Sequence, residues 1–358
     1  MFKNLSSSQQ KYIKILAIGL TLLYLVIGFF SVVIINKSHG SKTALYQSKE
    51  TSIVLPERDE KGAVKVSTGI YLDSIETVSI KESYWIATFY VWFRWVGEDG
   101  LDPGKAFYLV DAKINSKILE DSYVSPEGLH YQCYRVEARI TNFFNTMLLP
   151  LESHVLTISI EDAVLDDTKL VYIPDSSSNK SPRLNVPGFV IKNFSQYSEP
   201  HTYQTNYGDP LLNEGDYTTY SQYNFALGLK RVGFGFYIKL FIGMFAGVFL
   251  TLGSFFIRPS DTGPRYGIPS AAYFGAVANT YMVNALMPPS GDFGLTDLVT
   301  LVGLLTITIC VAATLLSGYF YLRKNEQEFS KAINMASWIT IGVWYILINI
   351  MLPVLAFS

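Results

Sequence analysis

The sequence predicts an all-β extracellular or periplasmic sandwich followed by a four-helix transmembrane bundle, with an extra N-terminal transmembrane signal anchor. Three observations predict it. The 358 residues are 49% hydrophobic, 15% aromatic and only 16% charged, against about 25% charge in an ordinary soluble domain. The deficit is local: charges are common between Glu50 and Asp216 and sparse from Phe236 onward. The charged stretch has no helical periodicity and instead carries aromatic and β-branched runs separated by turn residues.

The first element is the apolar run 12–35, with Lys14 as its only charge. A signal-peptide core spans about 7–15 residues and ends at small residues. This run is longer and continues into Asn36-Lys37-Ser38, so it reads as an uncleaved anchor. Lys3, Lys11 and Lys14 hold residues 1–11 in the cytoplasm by the positive-inside rule. Four further runs, 236–257, 268–287, 298–321 and 336–357, each approach the roughly 20 residues that cross a bilayer as a helix. The second is the least apolar. Five crossings put residues 36–231 outside. The inner links then carry Arg258 and Arg265, and Arg323, Lys324 and Lys331, whereas the outer link carries Asp292 and Asp297. Lys230 and Arg231 run against the rule, which suggests another role for them.

Within 36–231, strands are expected at 66–80, 88–95, 131–141, 155–160, 189–193 and 217–229. Turn signals such as Asp102-Pro103-Gly104 and Ser125-Pro126-Glu127-Gly128 separate them. Many short strands at this spacing predict an all-β sandwich. Residues 232–358 form the helical domain.

Several function classes drop out. The net charge of −2 offers no basic face for nucleic acid. The two cysteines, Cys133 and Cys310, make no disulfide framework or Cys-x-x-Cys site. No nucleotide-binding, zinc-protease or nucleophile-elbow motif occurs, so neither an enzyme nor a cofactor is expected. His39, His130, His154 and His201 lack metal-ligand spacing. The acidic group Glu161, Asp162, Asp166 and Asp167 reads as solvated loop acids, with a hard-cation site as the alternative.

Certain segments carry a family likeness. VSTGIYLDSIETVSI (66–80) and FYVWFRW (89–95) look like paired strands with G-x-Y and W-x-R-W patterns. NFFNTMLLPLESHVLTISIE (142–161) holds a Leu149-Pro150-Leu151-Glu152 core ahead of a strand. Arg231 stands just before the first helix of the bundle, and the 287–297 link carries Pro288 and Thr296-Asp297. In this order they resemble the pentameric ligand-gated ion channel superfamily of Cys-loop receptor type, in its prokaryotic branch. The resemblance implies a homopentamer of a bacterial inner membrane. Its β-sandwich would lie in the periplasm, opened by a small-molecule or proton agonist to pass an inorganic ion. The chain departs from the pattern in lacking a W-x-P segment and a proline in the first channel helix, and in placing Lys239 there.

The same resemblance assigns sites. Glu152, Pro150, Arg231 and Asp297 would couple sandwich to membrane. Arg231 reads equally as a snorkelling interfacial side chain. The helix at 265–287 would line the pore through Gly267, Ala271, Phe274, Ala278 and Tyr281, with Phe274 as a dewetting gate. A stripe of Ser270, Val277 and Asn284 is the alternative face. Asp261 and Arg265 leave the sign of the inner mouth open. The agonist pocket would take Tyr172, Asp175, Tyr207, Tyr217 and Tyr220 from one subunit, with Trp92 and Arg94 from its neighbour. Such an aromatic cage suits a cationic amine. Cross-strand packing is the alternative for these aromatics.

Overall fold

A computed structural model of the chain describes residues 5–50, 62–97, 100–205, 208, 217–288 and 293–357, with side chains for all but 38–50. The chain divides into two units: a β unit of Gln47–Phe144 and Ser153–Arg231, and a helical unit of Met1–Tyr46, Asn145–Glu152 and Val232–Ser358.

The β unit contains two sheets. In the first, the strand order is β4 (Ala112–Val124), β5 (Leu129–Thr141), β2 (Tyr84–Val96), β1 (Val64–Ser79) and β7 (Leu170–Pro174), with the two-residue β8 (Asn179–Lys180) also on β1. In the second it is β3 (Phe107–Leu109), β6 (Ser153–Asp162), β10 (Thr218–Arg231) and β9 (Phe189–Tyr203); a one-turn helix, α2 (Pro103–Ala106), precedes β3. Strand β2 shows why these residues pair. Trp85, Ala87, Phe89, Val91 and Phe93 alternate on its buried side, and residues between them are partly exposed. Burying one such large side chain stabilises by about 1.5–3 kcal/mol. Both sheets feed one apolar cluster: Phe93 of the first and Phe107 of the second have ring centroids 5.2 Å apart.

Strand β1 requires glycine at one position. Gly69 lies opposite Trp92 across the β1–β2 ladder, and a Cβ there would come within 2.3 Å of the indole. Only glycine lets that indole lie flat across the strand.

The helical unit holds α1 (Ser7–Glu50), α3 (Phe234–Gly253) with a 3₁₀ turn at Ser254–Phe256, α4 (Thr262–Asn284), α5 (Leu295–Leu322) and α6 (Gln327–Phe357). Among the described residues four helices are long and apolar enough to cross a membrane: Ser7–Lys37, Phe234–Phe256, Leu295–Leu322 and Gln327–Phe357. Five crossings were expected. Helix α4 falls short because Gly263, Arg265, Gly267, Ser270, Gly275, Asn279, Thr280 and Asn284 dilute its apolar content. Helix α1 also outruns its apolar segment: no proline interrupts residues 36–50, so the helix continues beyond the 12–35 run.

Side chains along α1 dock on its neighbours. Tyr24 bonds Thr306 at 2.9 Å, the Trp344 indole donates to Thr21 at 3.2 Å, and Gln9 donates to Glu326 at 2.8 Å. Residues 145–152 belong to this unit too. Leu148, Leu149 and Leu151 join its apolar core, and the Met147 carbonyl accepts the Leu295 N–H at 2.7 Å. Gly294 makes that approach possible, since a Cβ there would lie 2.6 Å from the same carbonyl oxygen. The Leu149–Pro150 peptide is cis.

Candidate functional site

Two polar clusters in the β unit and one helix face in the helical unit are the candidate sites. The first cluster centres on Asp175, just after β7, whose side chain is 1% exposed. Its carboxylate accepts the Trp92 indole N–H at 2.7 Å and the Ser177 N–H at 2.9 Å, and it forms an ion pair with Arg94. Gln196 donates to the Asp175 carbonyl at 2.8 Å. Trp92 and Arg94 were expected to face Asp175 across a subunit boundary. They meet it within one chain, because alternation on β2 puts both on the side away from the core. An open cleft of about 650 Å³ adjoins Arg94, lined also by Lys65, Ser67, Trp95, Val96 and Leu129.

Burial alone would raise the Asp175 carboxyl, but the Ser177 N–H, the Trp92 indole and the Arg94 charge outweigh it, so the group titrates below its ordinary range. A carboxyl depressed in the folded state adds stability that is fully present above its unfolded pKa, about 3.9. That contribution is lost as the pH falls through the lower, folded value. Thermal melts of the intact protein are therefore expected to drop below about pH 4. Asp175→Asn should flatten that part of the dependence.

The second cluster surrounds Glu161, near the end of β6. Its carboxylate is fully buried, although it lies on the strand face opposite the core. All four strands of the second sheet converge on it. Tyr108 of β3 donates at 2.5 Å, Tyr203 of β9 at 2.9 Å and the Gln222 amide of β10 at 2.6 Å, and His201 Nδ1 of β9 stands at 2.5 Å. Tyr108 and Tyr203 also touch each other at 2.6 Å. Burial, with hydrogen bonds to Glu161 and Tyr203, pushes the Tyr108 phenol well up, so it remains a donor. The rim is aromatic: the Tyr203 ring lies 4.5 Å from His201 and 5.8 Å from Tyr220. His201, at 38% side-chain exposure, opens this cluster to solvent. No protein-family model and no curated protein matches the chain.

The other expected pocket residues separate. Tyr172 is a core side chain, 1% exposed with its ring 6.0 Å from Phe93, so a ligand arriving from solvent does not reach it. Tyr217 is exposed and Tyr220 borders the Glu161 cluster. Tyr207 lies outside the described residues. The Glu161 cluster itself was missed. Reading Glu161 with Asp162, Asp166 and Asp167 as loop acids ignored that it continues the alternation of β6. Asp162 is no solvated acid either: it is buried and accepts the N–H groups of Val164 and Leu165 at 2.9 and 2.8 Å.

Helix α4 buries one stripe: Arg265, Pro269, Ala272, Ala276, Asn279 and Val283. These recur every three or four residues, as a helix packed along one side requires. All five expected pore residues lie off that stripe. Gly267, Ala271 and Ala278 are exposed, and Phe274 and Tyr281 are 73% and 74% exposed. Of the alternative face, Ser270 and Asn284 are exposed and Val277 is partly buried. Arg265 is not a mouth residue. It is fully buried, donating to the Ile257 carbonyl and, at 2.8 Å, to Asn334 Oδ1 of α6, whereas Asp261 at the start of the helix is exposed.

Asn279, which the sequence did not single out, pins α4 to α3. Its Oδ1 accepts the Met244 N–H at 3.0 Å and its Nδ2 donates to the Leu240 carbonyl at 2.9 Å. Those two backbone groups are the i and i+4 partners of one helical turn.

The four expected coupling residues divide between the units. Asp297 caps its own helix, accepting the Gly294 N–H at 2.8 Å. Glu152 is buried and Pro150 lies in the embedded 145–152 segment of the same unit. Arg231 belongs to the β unit, where its guanidinium lies 4.4 Å from the Phe189 ring centroid.

Proposed function

We propose that the chain is one subunit of a homopentameric, ligand- or proton-gated ion channel of a bacterial inner membrane. Its β unit would be a periplasmic receptor sandwich, and α4 would line the pore. The observation that carries this reading is α4 itself. It stands among four strongly apolar helices, yet is too polar to qualify as a span, and only one stripe of it is covered by its own chain. A helix with glycine, serine and asparagine on its open faces is poorly matched to acyl chains and well matched to a shared aqueous axis. Exposed Phe274 would form the narrow ring at that axis.

The charges near the inner end favour a cation. With Arg265 drawn into the bundle, Asp261 is the exposed charge adjoining the first turn of α4, with exposed Arg258 three residues ahead of it, and a ring of five Asp261 carboxylates would attract cations. The Glu161 cluster supports an agonist that is a cationic amine, or a proton taken up at His201. It presents a buried carboxylate with tyrosine faces around it. Tighter binding to the open state would then shift the closed–open equilibrium.

Bilayer recording of purified protein under pH and amine titration tests the proposal. Currents should reverse near the cation equilibrium potential, and Asp261→Lys should move reversal toward chloride. A non-conducting sensor on the same scaffold is the second reading, favoured by the exposed charge of Lys239 on α3. Silence of both the wild type and Phe274→Ala would select it.

A further inference from the structure

The open cleft beside Arg94 lies apart from the groups that gather on Glu161, and its lining has a definite sign. Its volume of about 650 Å³ falls in the range of sites for small organic ligands. Strand register builds it. Ser67 of β1 stands opposite Arg94 of β2, and Val96 of β2 stands opposite Leu129 of β5. Lys65, two residues before Ser67, shares its face of β1. Lys65 and Arg94 carry the charge of the lining, and no carboxylate is among the described residues that form it.

Asp175 offsets one of these two positive charges. It engages Nη2 of Arg94, and a guanidinium has five N–H donors, so the fork keeps donors for a second partner. Arg94 is also 40% exposed at its side chain, whereas Asp175 is buried beneath it. Trp95 adds an observation of another kind. It is 3% exposed, and its indole N–H has no hydrogen-bond partner among the described residues. Buried donors are ordinarily paired. Stacking on His130, with ring centroids 4.9 Å apart, steadies this indole in the cleft wall. Two cations and a donor without an acceptor ask for the same thing, a ligand that is anionic and accepts hydrogen bonds. Val96, 65% exposed, and Leu129 give that ligand an apolar wall.

We propose that this cleft binds a small organic carboxylate, with the charged end at Arg94 and Lys65 and the apolar body against Val96 and Leu129. A carboxylate matches the guanidinium fork in shape as well as in charge. Of these residues the family likeness places only Arg94 in the agonist pocket. The inference stands without a conducting pore and without an agonist at Glu161.

Benzoate is the probe, used on the intact, detergent-solubilised protein. Calorimetry should show one benzoate bound per chain. Lys65→Glu should weaken binding by about tenfold or more, as like charges brought together require, while Glu161→Gln should leave it unchanged. Thiol labelling reads the sign of the cleft directly. Val96→Cys, on a Cys133→Ser/Cys310→Ala background, should react faster with an anionic methanethiosulfonate than with a cationic one, each scaled to its rate with free thiol. Benzoate should slow that reaction, and benzylamine, of similar shape and opposite charge, should not. Absence of benzoate binding, equal affinity in Lys65→Glu, loss of binding in Glu161→Gln, or labelling indifferent to reagent sign or to benzoate would overturn the proposal.

Discussion

Glu161→Ala is expected to destabilise the protein by about 1–3 kcal/mol, the cost of taking the acceptor away from the buried Gln222 amide. The substitution takes one shared acceptor from the Tyr108 and Tyr203 hydroxyls, which keep each other at 2.6 Å, and from the Gln222 amide. Glu161→Gln keeps the shape and some of those bonds, so it should recover much of the stability. It removes the negative charge, however, and should still abolish the response to an amine or to protons. Melting curves and agonist-evoked current on the two variants separate the structural contribution from the electrostatic one. If Glu161→Gln keeps the full response, the cluster is not the agonist site.

Asn279→Ala is expected to cost roughly 0.5–1.5 kcal/mol for each of the two side-chain hydrogen bonds it takes from backbone groups of α3. Those groups are the Met244 N–H and the Leu240 carbonyl. The two groups lie an i, i+4 turn apart in the unbroken helix α3, whose own bonding limits the stability cost, but the substitution releases α4 from α3. Asn279→Asp is the informative comparison, because it keeps the acceptor for Met244 and loses the donor to Leu240. Denaturation of purified protein measures the cost, and a change in agonist concentration-dependence measures the released constraint.

What was readable in the sequence was whatever depends on neighbours along the chain. The alternation of β2 and the apolar runs of α1, α3, α5 and α6 are local patterns, and each appears close to where it was expected. The buried stripe of α4 is equally periodic. The small residues on its other side recur with the same period, so periodicity alone does not say which side is covered. The Glu161 cluster was not readable, because its burial comes from Tyr108 and Tyr203, 53 and 42 positions away and on different strands. Asp175 shows the same limit. The residue types Trp92, Arg94 and Asp175 were identified, but only the strand order decides that they meet within one chain. The length of α1 was underestimated for another reason: hydropathy marks where a helix leaves lipid, not where it ends.

The central claim is that the open face of α4 lies against water. Substituted-cysteine accessibility in proteoliposomes, on a Cys133→Ser/Cys310→Ala background, tests it most directly. Ala271→Cys, Phe274→Cys and Ala278→Cys should react with a membrane-impermeant thiol reagent, faster when agonist is present. Ile350→Cys and Val354→Cys, on exposed apolar positions of α6, should stay inert. If the three α4 positions are as unreactive as those on α6, that face is buried in lipid or protein and the account is contradicted.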